Sequence, residues 1–190
     1  DKTIKGFSDS RKEEIEEVKL GDSDKIDTGI VWAGNQAHRN DKNRSVAVAH
    51  FSQLAANQKI KLYSLQVGDR QKDLEGLSWR SKIVDTGRTL RDYADTASAI
   101  DQLNLIITVD TSVAHLAGAM GKQVWLLLPF SPDWRWLTNR KDSPWYPTMR
   151  LFRQKSIGDW DGVFEEVLKA IELGWNKGQW AGYREDYDVG

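Results

Sequence analysis

From residue 28 onward the sequence alternates short apolar runs with segments of helical periodicity, and this alternation constrains the fold more than any other feature. Runs rich in β-forming residues predict six strands, at residues 29–33, 59–66, 83–84, 105–109, 123–128 and 150–153. The apolar spacing between and after them predicts helices over residues 46–57, 70–77, 93–103, 112–120 and 160–173. Strands that alternate with helices form a parallel sheet with right-handed crossovers. The sequence therefore predicts an α/β fold with a doubly wound, Rossmann-like parallel sheet.

The length of 190 residues is typical of one domain with a substantial core. Residues 1–27 are dense in charge and nearly free of large apolar side chains, so they are predicted to be a linker or a surface arm. Residues 28–173 would form the single Rossmann-like domain, and residues 174–190 a C-terminal tail.

Composition excludes several classes of function. The formal net charge of -1 gives no reason to expect a nucleic-acid partner, and no apolar run is long enough to span a membrane. The absence of cysteine removes disulfides, zinc-thiolate sites and thiol nucleophiles, and it is compatible with a cytoplasmic location. Three widely separated histidines are a poor metal site, so no metal and no cofactor is expected. The dinucleotide, P-loop and nucleophile-elbow motifs are also missing.

The expected strand order, 3-2-1-4-5-6, makes the first and fourth strands neighbours. In such sheets ligands bind at the carboxyl ends of the strands, beside the point where the order reverses. The loop after strand one covers residues 34–45, and the loop after strand four is Asp110-Thr111-Ser112. These two loops are therefore predicted to face each other across one crevice.

The second of these loops leads directly into the helix predicted at residues 112–120. Thr111 or Ser112 is a natural N-cap, and the unpaired amides of the first helical turn suit a phosphate. His115, in that turn, could donate a hydrogen bond to the same phosphate. The alternative is an ordinary helix cap with a histidine that faces the core.

The loop across the crevice, which begins at Asn35, carries the cations. Lys42 and Arg44 are the predicted partners of a diphosphate, Arg44 through paired hydrogen bonds and Lys42 as a point charge. The alternative is a solvated loop whose basic residues only offset Asp41.

A third segment is stiff and aromatic. It contains Asp133, Trp134, Trp136 and Trp145, together with all four prolines of the chain. Such a loop could contact a sugar or a protein partner through Asp133, Trp134 and Trp136, since aromatic faces pack against pyranose rings. It could equally anchor its aromatic side chains in the core.

Several of these segments together carry a resemblance to a known family. They are IVWAGN at residues 30–35, HRNDKNRS at 38–45, VDTSVAHLAG at 109–118, WLLLPFSPDWRW at 125–136 and DSPWYPTMRLFRQ at 142–154. Over residues 28–172 the chain resembles the bacterial glycosyltransferase domain often appended to tetratricopeptide repeats. That family is related to the heptosyltransferases and more distantly to O-GlcNAc transferase.

The resemblance implies the C-terminal half of a GT-B fold, which binds a nucleotide-diphosphate sugar, with a UDP-sugar favoured over an ADP-sugar. It places the diphosphate on Thr111 and Ser112 beside Asp110, makes His115 and Lys42 phosphate contacts, and puts Gln66 near the base. It implies an acceptor-binding N-terminal domain or tetratricopeptide repeats elsewhere in the protein, since residues 1–27 cannot form an acceptor domain.

The sequence is compatible with two functions. One is the donor half of a hexosyl- or heptosyl-type glycosyltransferase, which alone would bind its donor weakly and transfer no sugar. No catalytic base is identified in it. The other is a non-catalytic module that binds nucleotides or docks a protein.

Overall fold

The computed structural model describes residues 25–138 and 140–173. Within them six parallel strands form one sheet in the order β3-β2-β1-β4-β5-β6. This confirms the predicted doubly wound sheet and its strand order. The strands are β1 (Ile26–Val31), β2 (Ile60–Ser64), β3 (Ile83–Val84), β4 (Leu105–Val109), β5 (Val124–Leu128) and β6 (Met149–Arg153).

Helices cover both faces of the sheet. They are α1 (Asp41–Arg44), α2 (Ser52–Ala56), α3 (Tyr93–Asp101), α4 (Ser112–Ala119) and α5 (Trp160–Glu172). Helices α2 and α5 pack in one buried cluster with alternate residues of the strands, such as Ile107 and Leu127. Helices α3 and α4 pack on the opposite face with the intervening residues, such as Ile106 and Leu126. Strands buried on both faces explain the continuous apolar runs of β4 and β5.

Strand β1 begins three residues before the predicted position and ends at Val31 rather than residue 33. Ile26 and Asp27 are both buried, and they pair in register with Ile60 and Lys61 of β2. The backbone N–H of Asp27 also donates to Oδ1 of Asn104, 2.9 Å away. Because Asp27 is charged, it interrupts the apolar run, and the start of β1 was therefore predicted too late in the sequence. The rest of the predicted arm, and the predicted tail at residues 174–190, lie outside the described residues.

Two helical predictions near the first loop need correction. The helix predicted over residues 46–57 is a 3₁₀ turn at Val48–Phe51 followed by the short α2. Ala47 is extended, because the preceding Val46 donates its backbone N–H to the Trp32 carbonyl and is drawn toward the end of β1. The segment predicted as a helix over residues 70–77 is a 3₁₀ helix at Asp69–Leu74. The loop after β1, which was predicted to lack a helix, contains α1.

Two helix ends, at the start of α3 and at the end of α4, have well-defined caps. Asp92 caps α3 by accepting hydrogen bonds from the backbone N–H groups of Ala94 and Asp95. Helix α4 ends in a Schellman arrangement, in which Gly121 has a φ of 71° and Lys122 donates its N–H to the Ala117 carbonyl. That sharp stop returns the chain directly into β5.

Candidate functional site

The carboxyl ends of β1 and β4 lie side by side, with Val31 paired to Thr108. A cleft of about 390 Å³ opens there and extends to the end of β2. Four of the predicted site residues line it: Asn35, Gln66, Thr111 and Ser112. The other residues that line this switch-point cleft are Val31, Ala33, Gly34, Gln36, Leu65, Val67, Gly68, Asp69, Arg70 and Val113. The predicted juxtaposition of the two loops is therefore present.

The first turn of α4 forms one wall of the cleft. Thr111 is its N-cap and is extended, but its side chain makes no capping hydrogen bond to the helix. The Thr111 hydroxyl instead lies 3.1 Å from the Thr108 hydroxyl. The N–H of Ala114 is satisfied by the Thr111 carbonyl, which leaves the amides of Ser112 and Val113 without a capping side chain at the cleft. Uncapped amides at the positive end of a helix dipole are suited to an anion.

Gln66 forms the base of the cleft, and its side chain is fully engaged by backbone. Its Oε1 accepts from the N–H groups of Trp32 and Ala33, at 3.2 and 3.0 Å. Its Nε2 donates to the carbonyls of Ala33 and Val67, at 3.1 and 3.2 Å. All the usual hydrogen-bonding positions of the amide are thus filled. Gln66 fixes the end of β1 against the end of β2, and its side-chain amide has no free polar group to offer to a nucleobase.

Arg44 connects the two loops. Its Nη1 donates to the carbonyl of Asp110 at 3.2 Å, and its Nε lies 3.4 Å from Oδ1 of Asp41. Its guanidinium covers Gly34 so closely that a Cβ there would lie 2.4 Å from Nη2. Arg44, which the sequence predicts to bind a diphosphate, is therefore already bound to protein groups. It ties the β1 loop to the β4 loop.

Lys42 is a free cation of this loop. Its side chain is exposed and forms no ion pair with any residue that the structure describes, and it lies outside the cleft lining. Asn35 does line the cleft, and its Oδ1 accepts the N–H of Ala37 at 2.9 Å in a local turn. Neither residue is held away from the cleft by a strong partner.

Asp110 and His115 belong to a cluster beside the cleft rather than to its lining. Nε2 of His115 lies 3.7 Å from Oδ1 of Asp110, and Nδ1 lies 3.1 Å from the Tyr146 hydroxyl. Burial acts to raise the pKa of Asp110, but the adjacent His115, the indole of Trp136 and the charge of Arg135 together outweigh it, so that this pKa is below its usual value. The cluster holds His115 in place, and a phosphate would have to compete with Tyr146 for Nδ1.

The aromatic segment divides into buried and exposed residues. Trp136 is fully buried and stacks on His115 with the ring centroids 5.3 Å apart, so the expectation that it contacts a sugar or partner is wrong. Its indole N–H helps to lower the pKa of Asp110, and it has no other hydrogen-bond partner among the described residues. Trp134 is 72% exposed. Asp133 caps the 3₁₀ helix Trp134–Trp136 by accepting the N–H of Arg135. That Asp133 and Trp134 contact a sugar or a protein partner stays a prediction.

Tyr146 and Asp41, which the sequence analysis did not place in the site, contact the predicted site residues His115 and Arg44. Asp41 is buried and accepts from the Ser45 hydroxyl at 2.9 Å as well as facing Arg44, so it organises the β1 loop. The ring of Tyr146 lies over Gly118, where a Cβ would be 2.6 Å from its Cγ. Gly118 in the middle of α4 was the available signal, because a glycine inside a helix often marks the close approach of another group.

Among the described residues no group of three or more potential metal ligands occurs. In the same part of the chain, no helix combines the length and the apolar character that crossing a membrane requires.

Comparison with known proteins places the fold. No protein-family model matches the chain. Protein FlbA of Caulobacter vibrioides is 26% identical over 161 residues, which are 80% of this chain and 26% of that protein. The structure of ADP-heptose lps heptosyltransferase II of E. coli matches with a TM-score of 0.58 at 18% identity, over 88% of this chain and 53% of that one.

The chain thus spans about a quarter of FlbA and about half of the heptosyltransferase. The structural match confirms the predicted doubly wound, Rossmann-like fold. The association with tetratricopeptide repeats stays a prediction.

Proposed function

We propose that this chain is the donor-binding domain of a glycosyltransferase and that it holds a nucleoside-diphosphate sugar in the switch-point cleft. The observation that carries the proposal is the start of α4. Ser112 and Val113 line the cleft with the first turn of α4, and the Thr111 hydroxyl that could accept the N–H of Val113 contacts Thr108 instead. The diphosphate binds there, and the nucleoside extends toward the end of β2.

Other features of the cleft support this assignment. Its volume of about 390 Å³ lies in the range of small-molecule sites. The backbone ties made by Gln66 and Arg44 hold the cleft in shape before a ligand arrives. Lys42, exposed on the adjacent loop, supplies a positive charge that can move to the diphosphate.

The reaction follows from the same geometry. Transfer of a sugar leaves a nucleoside diphosphate, and the helix dipole of α4 with Lys42 stabilises the negative charge that develops on it. A second domain supplies the acceptor and closes the cleft, so the 190-residue chain alone binds its donor weakly. The structural relative is named for ADP-heptose, which favours an adenine nucleotide beside the UDP expected from sequence.

Calorimetry of the 190-residue chain with ADP, UDP, adenosine and uridine tests the proposal. The matched variants are Ser112→Glu, which places a carboxylate on an exposed position at the start of α4, and Ser98→Glu, which adds the same charge to α3. An acidic residue in the first turn stabilises a helix by about 0.3–1 kcal/mol, so Ser112→Glu stays folded. Repulsion across a few ångströms weakens diphosphate binding by about 1–3 kcal/mol.

The expected result is that the diphosphates bind more tightly than the nucleosides and that only Ser112→Glu loses this preference. Binding of neither diphosphate to the unaltered chain would contradict the proposal and would favour a docking module. Equal loss in both variants would mean that α4 is not the phosphate site.

A further inference from the structure

The wall of the cleft opposite α4 ends in an acidic residue without a partner. Gly68, with a φ of 76°, turns the chain after β2, and Asp69 then begins the 3₁₀ helix Asp69–Leu74. Asp69 is exposed and lines the cleft, and it makes no hydrogen bond or ion pair with any described residue. It is also the one acidic side chain among the described residues that line this cleft.

Two nearby carboxylates, those of Asp73 and Asp41, are engaged by protein groups. Asp73, four residues further on, accepts from Nε of Arg70 at 2.7 Å and from the indole N–H of Trp32 at 2.9 Å. Asp41, on the other side of the cleft, accepts from Ser45 and faces Arg44. In this cleft, Asp69 is therefore the carboxylate whose oxygens can still accept hydrogen bonds from a ligand.

The backbone that carries Asp69 is held in place. Trp32 is fully buried at the end of β1, and its hydrogen bond to Asp73 connects the 3₁₀ helix to the sheet. Arg70, beside Asp69, is fixed by the same Asp73 carboxylate. The Asp69 carboxylate thus stands on an anchored turn at the rim of the cleft.

A carboxylate repels phosphate, so the part of a ligand next to Asp69 must donate hydrogen bonds. The vicinal hydroxyls of a ribose offer two donors to the two oxygens of one carboxylate. In Rossmann-type sheets with this strand order, an acidic residue on the nucleoside side of the site fills this role. With the diphosphate at α4, the ribose lies on the side of the cleft toward β2.

We propose that Asp69 accepts hydrogen bonds from the ribose 2′ and 3′ hydroxyls and makes the cleft select ribonucleotides over 2′-deoxyribonucleotides. This inference rests on the proposed function, because it requires a nucleoside diphosphate in the cleft. It adds a specificity residue that lies in none of the motifs for phosphate binding.

Calorimetry with ADP, 2′-deoxy-ADP, UDP and 2′-deoxy-UDP tests it on the unaltered chain, on Asp69→Ala and on Glu75→Ala. Glu75 is exposed at the end of the same 3₁₀ helix and outside this cleft, so its variant controls for the loss of one negative charge. The unaltered chain and Glu75→Ala should bind the ribose form about tenfold or more tightly than the deoxy form, as expected for a hydrogen bond to a charged group. In Asp69→Ala the ratio should fall to about twofold or less.

The other outcomes overturn either the role of Asp69 alone or the proposed function together with it. Equal binding of the ribose and deoxy forms by the unaltered chain would remove Asp69 from ribose recognition while leaving the diphosphate site intact. A ratio that survives in Asp69→Ala would do the same and assign the discrimination to another residue. Failure of all four nucleotides to bind would refute the proposed function and this inference with it.

Discussion

Replacing Gln66 by glutamate should damage the fold more than its near-identical shape suggests. The side chain is 4% exposed, and its Nε2 donates to two backbone carbonyls, those of Ala33 and Val67. Gln66→Glu puts an oxygen in place of that donor. The two N–H groups of Trp32 and Ala33 keep their acceptor, while the two carbonyls lose their donor and face an oxygen instead.

The size of the effect follows from these contacts. Two lost hydrogen bonds cost about 0.5–1.5 kcal/mol each, and the unsatisfied buried carbonyls add to this, for a total of about 2–4 kcal/mol. For a domain of this size the melting temperature falls by about 2–4 °C per kcal/mol, which gives about 4–16 °C. Burial disfavours the charged form, so the pKa of the introduced carboxyl is raised in the folded state. A raised folded pKa means that the deficit is smallest in acid and grows as the pH rises through that value.

Thermal unfolding followed by circular dichroism between pH 4 and pH 8 measures the effect. Gln53→Glu is the matched control, because Gln53 is exposed on α2 and should tolerate the same exchange without loss. The unaltered chain supplies the pH baseline. A melting temperature for Gln66→Glu within 1 or 2 °C of that baseline at every pH would refute the assignment of Gln66 as the tie between β1 and β2.

Three further predictions concern the loops around the cleft. Lys42→Ala should weaken the binding of ADP and UDP by about 0.5–1.5 kcal/mol and the binding of the nucleosides hardly at all. High salt should shrink this difference, and calorimetry measures both effects. Arg44→Lys should lower the free energy of unfolding by about 1–2 kcal/mol, since an ammonium cannot reach Asp41 and the Asp110 carbonyl together; urea denaturation measures this. Asp110 has a lowered folded pKa, so it stabilises the protein above its unfolded pKa and this contribution is lost as the pH falls through the folded value. Asp110→Asn should therefore be less stable than the unaltered chain at pH 7, with the gap in melting temperature closing below about pH 4.

Apolar runs were sufficient to predict the sheet and the place of the cleft. β4 and β5 are buried on both faces, so their sequences are apolar apart from Thr108. The strand order is the common one for doubly wound sheets. The ends of strands and helices were harder to predict where they contain buried polar residues. β1 was shortened in prediction because Asp27 is buried inside it, with its backbone tied to Asn104.

The details of the site depend on contacts between distant segments, which a single sequence does not encode locally. Gln66 reaches residues more than thirty positions away, and Arg44 reaches the Asp110 carbonyl. Trp134 and Trp136 have the same side chain two positions apart, yet one is exposed and the other buried. The aromatic segment packs against α4 with Trp136 stacked on His115, and this packing decides which tryptophan faces solvent.

The most direct test of the central claim is to observe the backbone amides at the start of α4 while nucleotide is added. In ¹H–¹⁵N spectra of the chain titrated with ADP or UDP, the amides of Ser112 and Val113 should shift most. Inorganic pyrophosphate alone should shift the same two, whereas adenosine and uridine should not. Shifts that leave Ser112 and Val113 unchanged and instead cluster around Trp134 would contradict a diphosphate site at this helix.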